Sequence, residues 1–457
     1  MKTKSTALLI LAGLFGWCSL LLAQEPEVSV TVYNQDLALI RDVRTFELKA
    51  GEQRLYFQDV AAQIDPTSVH LRSLTAPNSL LLLEQNFEYD LVDADKILKK
   101  YIDHEIELCL GQKDTLRGTL LNSGDQLVVA LPSGEVRLIQ NKDIRWLNFP
   151  RLPEGLITRP TLVWLVKIDK SQKHRLETEY LTRGIDWHAE YVALLNDRET
   201  EMDLTAWVSV DNRSGIGYKN ARLKLVAGEV HLAEERVAPR YEIAKAMQAM
   251  AEQPVSEKEF FEYHLYTVNR LTSINNNQVK QLTLFDAAGV TLQKKYLFDG
   301  QRWPKQVRLY TRFKNEAKNH LGMPFPAGKF RVYKKDVDSS MVFLGEDRIE
   351  HTPKDEWLET FLGAAFDIKA ERKQISSEMI GKNQLRESYE IALRNHKKAA
   401  VTVTVVENFT YRMPESKWKI IEYSLAYTQK DARTAEFSVA VPTDQEVKLR
   451  YTVDYSW

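Results

Sequence analysis

The chain has 457 residues, with 62 Lys or Arg against 63 Asp or Glu and a formal net charge of −1. A balance this even, with no block of like charge, excludes the electrostatic footprint that holds nucleic acid. Apolar residues make up 44%, enough for a buried core, and at roughly 150 residues per domain the length predicts about three domains.

The chain opens with an address. Lys2 and Lys4 precede an apolar run from Ala7 to Leu22, and the small residue Ala23 precedes Gln24-Glu25-Pro26. That is the layout of a secretory signal peptide over 1–23. The run is short for a bilayer span, which needs roughly 20 residues. A periplasmic or secreted location follows, either free or held at the envelope. Cys18 lies in the apolar run and reads as one more hydrophobe. Cleavage after Ala23 leaves a single cysteine, Cys109, and therefore a fold held by burial without an intramolecular disulfide. No later segment is long and apolar enough to cross a membrane as a helix.

Residues 24–90 read as an N-terminal β region, and 91–150 as a unit of its own. There a short helical start, DADKILKKYI, leads into about five short strands, with QLVVAL and EVRLIQ flanking a Pro-Ser-Gly hairpin signal. One helix and five strands outline a small SH3-like or Sm-like barrel. Some such barrels bind RNA, but 96–150 holds eight basic and seven acidic residues, so the unit reads as structural.

From 151 to 457 the recurring signal is alternation with period two, the mark of a strand with one buried face. In GIDWHAEY, Asp186, His188 and Glu190 project together while Trp187, Ala189 and Tyr191 form the other, core-facing row. The three polar residues are candidates for proton or metal chemistry, or a solvated face beside an aromatic core. DLTAWVSV and ARLKLV alternate again, and the loop DNRSGIGYKN between them reads as an inter-strand connection. In it Asn212 and Gly215 suit turn conformations. The stretch 233–262 breaks the pattern with an Ala-rich run of helix formers ended by Pro254. It reads as a helical or flexible insertion, or as a helix that docks a partner through Ile243, Met247 and Met250.

GEDRIEHTP, 345–353, places Glu346, Asp347, Glu350 and His351 close together. They are weak candidates for a hard-cation site, which takes six to eight oxygens, against a polar turn in which Arg348 neutralises an acid. Further alternation runs through Tyr389, Ile391 and Leu393, Val401, Val403 and Val405, and Phe437, Val439 and Val441. It ends in LRYTVDYSW, whose last residues also resemble the closing strand of an outer-membrane barrel. LRNHKKAAVTV repeats the earlier arrangement of a strand closed by Asn, a polar loop and another strand. Zincin, nucleophile-elbow, phosphate-loop and dinucleotide motifs are absent, and the nine histidines are scattered singly. No catalytic residue, metal or cofactor is expected.

Several blocks carry a resemblance in order: YLTRGIDWHAEYVALL, LTAWVSVDNRSGIGYKNARLKLVAGEVH, EYHLYTV with NNNQVKQLTLF, PFPAGKFRVYKKD, FLGEDRIEHTP, GAAFDIKAERKQ, ESYEIALRNHKKAAVTVTVVE and YTVDYSW. Over about 180–457 the chain resembles the bacterial domain-of-unknown-function family 4139, which includes mucoidy-inhibitor-like envelope proteins. The coiled-coil stretch associated with those members does not appear in this N-terminus. The resemblance implies an envelope protein and supplies no catalytic residues.

The expected fold is mainly β, with several β-domains. They include the small SH3/Sm-like barrel, a large C-terminal Ig-like β-sandwich region over 151–457 and the short helical insertion. The expected function is a non-catalytic structural or protein-interaction module of the envelope, whose partner is a protein or another envelope component. The alternatives are a hydrolase or lyase using the Asp186–His188–Glu190 row, and an outer-membrane β-barrel.

Overall fold

The computed structural model describes residues 27–111, 114–153, 156–228, 230, 255–260 (backbone), 263–409 and 417–457. The signal segment expected at 1–23 lies outside them, as does most of the insertion expected at 233–262.

The chain is built almost wholly from strands, as the period-two pattern predicts. In order they are β1 (Val28–Tyr33), β2 (Leu37–Leu48), β3 (Gly51–Gln58), β4 (His70–Ser73) and β5 (Leu80–Glu88). Helix α1 (Ala94–Lys100) follows, then β6 (Glu105–Leu110), β7 (Asp114–Ser123), β8 (Gln126–Ala130), β9 (Val136–Gln140) and β10 (Ile144–Asn148). Next come β11 (Thr161–Ile168), β12 (Gln172–Thr182), β13 (Ile185–Leu195), β14 (Glu201–Asn212) and β15 (Tyr218–Ala227). The middle of the chain supplies β16 (Val255–Phe260), β17 (Tyr263–Val268), β18 (Thr272–Ile274), β19 (Gln278–Thr291), β20 (Gln293–Asp299) and β21 (Arg308–Lys314). The remainder forms β22 (Gly328–Lys335), β23 (Met341–Ile349), β24 (Trp357–Ala364), β25 (Ile368–Gly381), β26 (Gln384–Asn395) and β27 (Val401–Asn408). It closes with β28 (Lys417–Tyr423), β29 (Tyr427–Gln429), β30 (Thr434–Val441) and β31 (Gln445–Ser456).

These strands stack into two sandwiches. In the first, the sheet β16-β17-β15-β1-β2-β12-β4 faces the sheet β19-β14-β13-β22-β23. Val30, Val32 and Ile40 meet Trp187, Tyr191, Leu204 and Val208 in one core, where all are buried. In the second, β24-β21-β20-β27-β30-β29 faces β25-β26-β31-β28 over Phe298, Val403, Val405, Ile391, Leu393, Phe437 and Leu449. Two inner faces interdigitating in this way, each strand sending alternate residues inward, is what sandwich packing requires. The closing strand β31 lies between β26 and β28, and its row Leu449, Tyr451, Val453 points into this core. The row that a membrane strand would turn to lipid is turned inward, and none of the sheets among the described residues closes on itself.

The unit at 94–149 has the expected single helix and five strands, in the order β10-β6-β7-β8-β9, over its own core of Ile106, Leu108, Leu120, Leu127 and Val129. Asp93 caps α1 by accepting from the amide of Lys96 at 2.8 Å. The expected hairpin joins β8 to β9 through a turn with Gly134 at φ +88°. The end strands β9 and β10 are not hydrogen-bonded to each other, so the sheet is open where the sequence suggested a closed SH3-like or Sm-like barrel.

The helical reading of 233–262 needs one correction. Residues 255–260 form β16, paired antiparallel with β17 from Val255↔Val268 to Phe260↔Tyr263. β17 offers a partner strand along the whole of VSEKEF, and ladder pairing overrides the helix preference of the neighbouring Ala-rich run.

The two sandwiches repeat one topology. β1 lies between antiparallel β2 and parallel β15, and β20 lies between antiparallel β21 and parallel β27. β2 pairs with β12 as β21 pairs with β24, and β15 with β17 as β27 with β30. In the facing sheets β13-β14-β19 corresponds to β25-β26-β31. The first repeat is interrupted between β2 and β12 by β3–β11, the second between β21 and β24 by β22 and β23.

One buried asparagine stands at the same place in each repeat. Asn212, at the end of β14, donates from Nδ2 to the carbonyls of Ile216 (2.8 Å) and Asn275 (3.1 Å), and its Oδ1 accepts from the Ser214 amide (3.1 Å). Asn395, at the end of β26, donates to Ala399 (2.9 Å) and Val441 (3.1 Å) and accepts from the Lys397 amide (2.9 Å). Both side chains are fully buried. The spacings i+2 and i+4 are identical, so each carboxamide holds its own crossover loop and the start of the next hairpin. Gly215, at φ +94°, packs so tightly that a Cβ there would meet the Cβ of Ala62 at 2.7 Å. The loop at 211–220 is therefore a structural crossover, and Asn212 acts through its side chain rather than through a special backbone conformation.

Asn212→Ala and Asn395→Ala each leave buried carbonyls and an amide unpaired, so each is expected to lower stability by about 2–3 kcal/mol. The midpoint of chemical denaturation followed by circular dichroism measures it. A loss below about 0.5 kcal/mol in both would show that these amides are not what holds the crossovers.

Candidate functional site

The residues singled out on β13 occupy the outer face of the first sandwich. The inner row is anchored: Trp187 Nε1 donates to the Val226 carbonyl at 3.1 Å, and Tyr191 Oη donates to the Pro326 carbonyl at 2.7 Å. With that row fixed, alternation turns Asp186, His188 and Glu190 to the other side.

Glu190 is the centre of a polar strip that crosses all five strands of its sheet. Its Oε2 accepts from Ser209 Oγ on β14 and from Gln281 Nε2 on β19, both at 2.8 Å. Its Oε1 faces Arg331 on β22 at 3.4 Å and His188 Nε2 at 4.0 Å. Arg331 in turn donates from Nε to Glu346 on β23 at 3.2 Å, with Lys329 3.8 Å from the same carboxylate. Burial pushes the Glu190 carboxyl upward, but the Ser209 and Gln281 hydrogen bonds and the His188 and Arg331 charges outweigh it and hold it below the usual range. Glu190 is thus a committed, ionised carboxylate.

The other residues go separate ways. Asp186 sits beside the β1–β2 turn, where Asp36 at φ 52° accepts from the Gly184 amide at 2.9 Å. Burial raises the Asp186 carboxyl above its ordinary value, and one of its oxygens has no hydrogen-bond partner. Asp347 accepts from the Phe361 amide on β24 at 2.7 Å, which stitches the edge of the first sandwich to the edge of the second. GEDRIEHTP is therefore the end of strand β23 more than a turn. The cation that meets Glu346 is Arg331, across the sheet, and not the sequence neighbour Arg348. Among the described residues no group of three or more His, Cys, Asp or Glu could hold a metal ion.

His351 caps the same end of the sandwich. Its Nδ1 accepts from the Ala327 amide at 3.1 Å, and the Asn34 carboxamide lies 3.1 Å from its Nε2. With Nδ1 occupied as an acceptor, a neutral ring carries its proton on Nε2, against Asn34 Nδ2, so this pair is satisfied once the Asn34 carboxamide turns its unpartnered Oδ1 to the ring. Desolvation lowers the His351 pKa, and the nearby His264 adds to it.

Sequence reasoning missed a polar network inside the second sandwich. Glu407, fully buried on β27, receives Arg372 of β25 in a two-pronged pair, Nε to Oε1 at 3.0 Å and Nη2 to Oε2 at 2.9 Å. Tyr451 Oη donates to Glu407 Oε2 at 2.7 Å, and the Arg372 guanidinium lies 3.8 Å over the Tyr389 ring. Tyr389 donates to the buried Glu387 at 2.7 Å, and burial with that bond pushes its hydroxyl up to about 12. The signal was present: Glu407 continues the buried row Val401, Val403, Val405, and Glu387 precedes Tyr389, Ile391, Leu393 in theirs. A carboxylate at apolar parity announces a buried partner. The phenol is held protonated and the acid paired, which ties strands together and leaves no free nucleophile in this network.

His351 also has a measurable pH signature. Its folded pKa lies below the unfolded value of about 6.5, so the contribution of the neutral ring is complete above that value and is lost as pH falls through the lower folded pKa. The thermal midpoint of the wild type is expected to drop more between pH 7.5 and 5 than that of His351→Gln, which cannot take up the proton. Parallel curves for the two proteins would remove His351 as the titrating group.

No curated protein matches the chain. Residues 176–457 match the family described as Domain of unknown function (DUF4139), in agreement with the blocks read from about 180 onward. That match spans more than half of the chain, the whole of the strip from β13 to β23 and all of the second sandwich, and the protein belongs to the DUF4139 family.

Proposed function

We propose that the chain is an exported, non-catalytic binding module of the cell envelope. Residues 1–23 direct export and are removed. The mature protein then presents an Ig-like pair of sandwiches, the first of which takes β1, β2 and β4 from residues 24–90, with the five-stranded module of 91–150 inserted before β11. Its partner is a protein or another envelope component.

The observation that carries this reading is the state of Glu190. A catalytic carboxylate needs an oxygen free to meet substrate, whereas both oxygens of this one are engaged, Oε2 by two hydrogen bonds and Oε1 by an arginine. His188 lies within charge range of both Asp186 and Glu190, and its Nε2 stands 4.0 Å from Glu190 Oε1, beyond hydrogen-bond distance. The outer strip therefore ties strands together and leaves recognition to surface side chains. No helix among the described residues is long and apolar enough to cross a membrane, which fits a chain that meets the envelope through its surface.

Two measurements test the proposal. The mature protein recovered from the cell is expected to begin at Gln24. The triple variant Asp186→Asn, His188→Gln, Glu190→Gln is expected to capture the same envelope components as the wild type. Turnover of an ester, amide or glycosidic substrate by the wild type, lost in the triple variant, would overturn the reading in favour of a hydrolase or lyase.

A further inference from the structure

The outer face of the second sandwich carries two arginines on one strand row, and they differ in one respect. Arg312 of β21 lies 4.1 Å over the Trp357 ring and pairs with Glu359 of β24 at 3.2 Å, its register partner across the ladder. Arg308, four residues earlier on the same row, lies 3.4 Å over the Trp303 ring and 4.7 Å from the Phe361 ring. Its register partner on β24 is Ala364, so no carboxylate stands where Glu359 stands for Arg312. The Nε of both arginines is buried without a hydrogen-bond partner, but only Arg308 also lacks a carboxylate at its side, and no acceptor among the described residues takes its terminal nitrogens.

The surroundings of Arg308 are cationic and aromatic. The turn before it holds Arg302 and Lys305, and its acid, Asp299, is spent on the Gln301 and Arg302 amides and the Arg302 side chain. The Ala365 amide donates to the Val307 carbonyl at 2.8 Å, which draws the β24–β25 loop alongside. That loop presents Phe366, 83% exposed, with the Lys369 ammonium 5.1 Å from its ring. A large aromatic side chain so open to water, two residues beyond Ala364, the register partner of a guanidinium whose faces are covered and whose edge is free, is an unfilled combination. The two rings hold the guanidinium plane in place, so little rotamer freedom remains to be lost when an oxyanion docks against its edge.

We propose that Arg308 anchors a binding site for an oxyanion, the phosphate or carboxylate of a ligand whose apolar part covers Phe366. The proposal rests on the reading of this chain as a binding module and gives that module a ligand chemistry. Trp303 and Phe361 orient the cation, Arg308 supplies paired N–H donors, and Lys305 and Lys369 add attraction at longer range.

Isothermal titration of the full mature protein with phenyl phosphate and inorganic phosphate, and co-sedimentation with phosphatidylcholine vesicles with and without phosphatidylglycerol, test it. Saturable binding of phenyl phosphate is expected, tighter than that of inorganic phosphate. Arg308→Gln should weaken it roughly tenfold or more, the scale of a lost charge-assisted pair. Arg308→Lys, which keeps the charge and loses the fork, should fall between, and Arg312→Gln should bind as the wild type does. Binding confined to phosphatidylglycerol vesicles and lost in Arg308→Gln also supports the site and names a lipid headgroup as the source. No saturable binding of any probe by the wild type, or equal binding by a folded Arg308→Gln, overturns it. Capture of envelope components that survives such a result would leave the binding-module reading standing without this site.

Discussion

Wherever a strand leaves one sheet of a sandwich for the other, the ladder stops and backbone carbonyls face inward with no strand to meet them. In water they would be solvated; in a core each one opposes folding. Asn212 and Asn395 meet this constraint with one carboxamide apiece, joining a crossover loop, the hairpin beyond it and the strand end into a single bonded unit. The same logic recurs at smaller scale in Asn315, which donates to the Met323 and Pro353 carbonyls and accepts from Gly322. Sheet stacking is possible in this protein because these corners are closed from within.

That two asparagines do the same work at the same spacing follows from the repeated topology. Eight strands of one sandwich have counterparts in the other, in the same chain order and with the same parallel pair. The variation lies in what each repeat has admitted between its third and second strands. The first accepts a three-stranded sheet and the α1 module; the second accepts the hairpin β22–β23. Polar chemistry differs accordingly. The first sandwich carries a strip around Glu190 and buries Glu177 of β12 between Arg41 and Arg72, while the second draws Glu387 and Glu407 inside and neutralises the latter with Arg372.

Much of this was legible in one dimension. Alternation through Ile185–Leu195 separates the aromatic core row from the polar row, and the Asn-loop-strand recurrence at 212 and 395 marks the duplicated corner. The helix and strands of 94–149 follow from local propensity and turn chemistry. What could not be read is set by contacts distant in sequence. Arg331 reaches Glu190 and Glu346 only because β22 lies parallel beside β13, some 140 residues away; nearness along the chain pointed to Arg348 instead. Residues 255–260 extend because β17 offers a ladder, which no window of helix formers reveals. The stack of Trp303, Arg308 and Phe361 joins three segments whose composition alone is unremarked.

The hairpin β22–β23 joins the two repeats. It is drawn from the second repeat yet completes the first repeat's sheet, pairing β13 along seven residues, while Asp347 on it bonds back to Phe361 of the second. The two sandwiches are thus exchanged at their border in the manner of clasped hands. A cut in the chain anywhere from 315 to 356 would leave both products with a bare edge, so neither half is a natural unit for truncation or permutation.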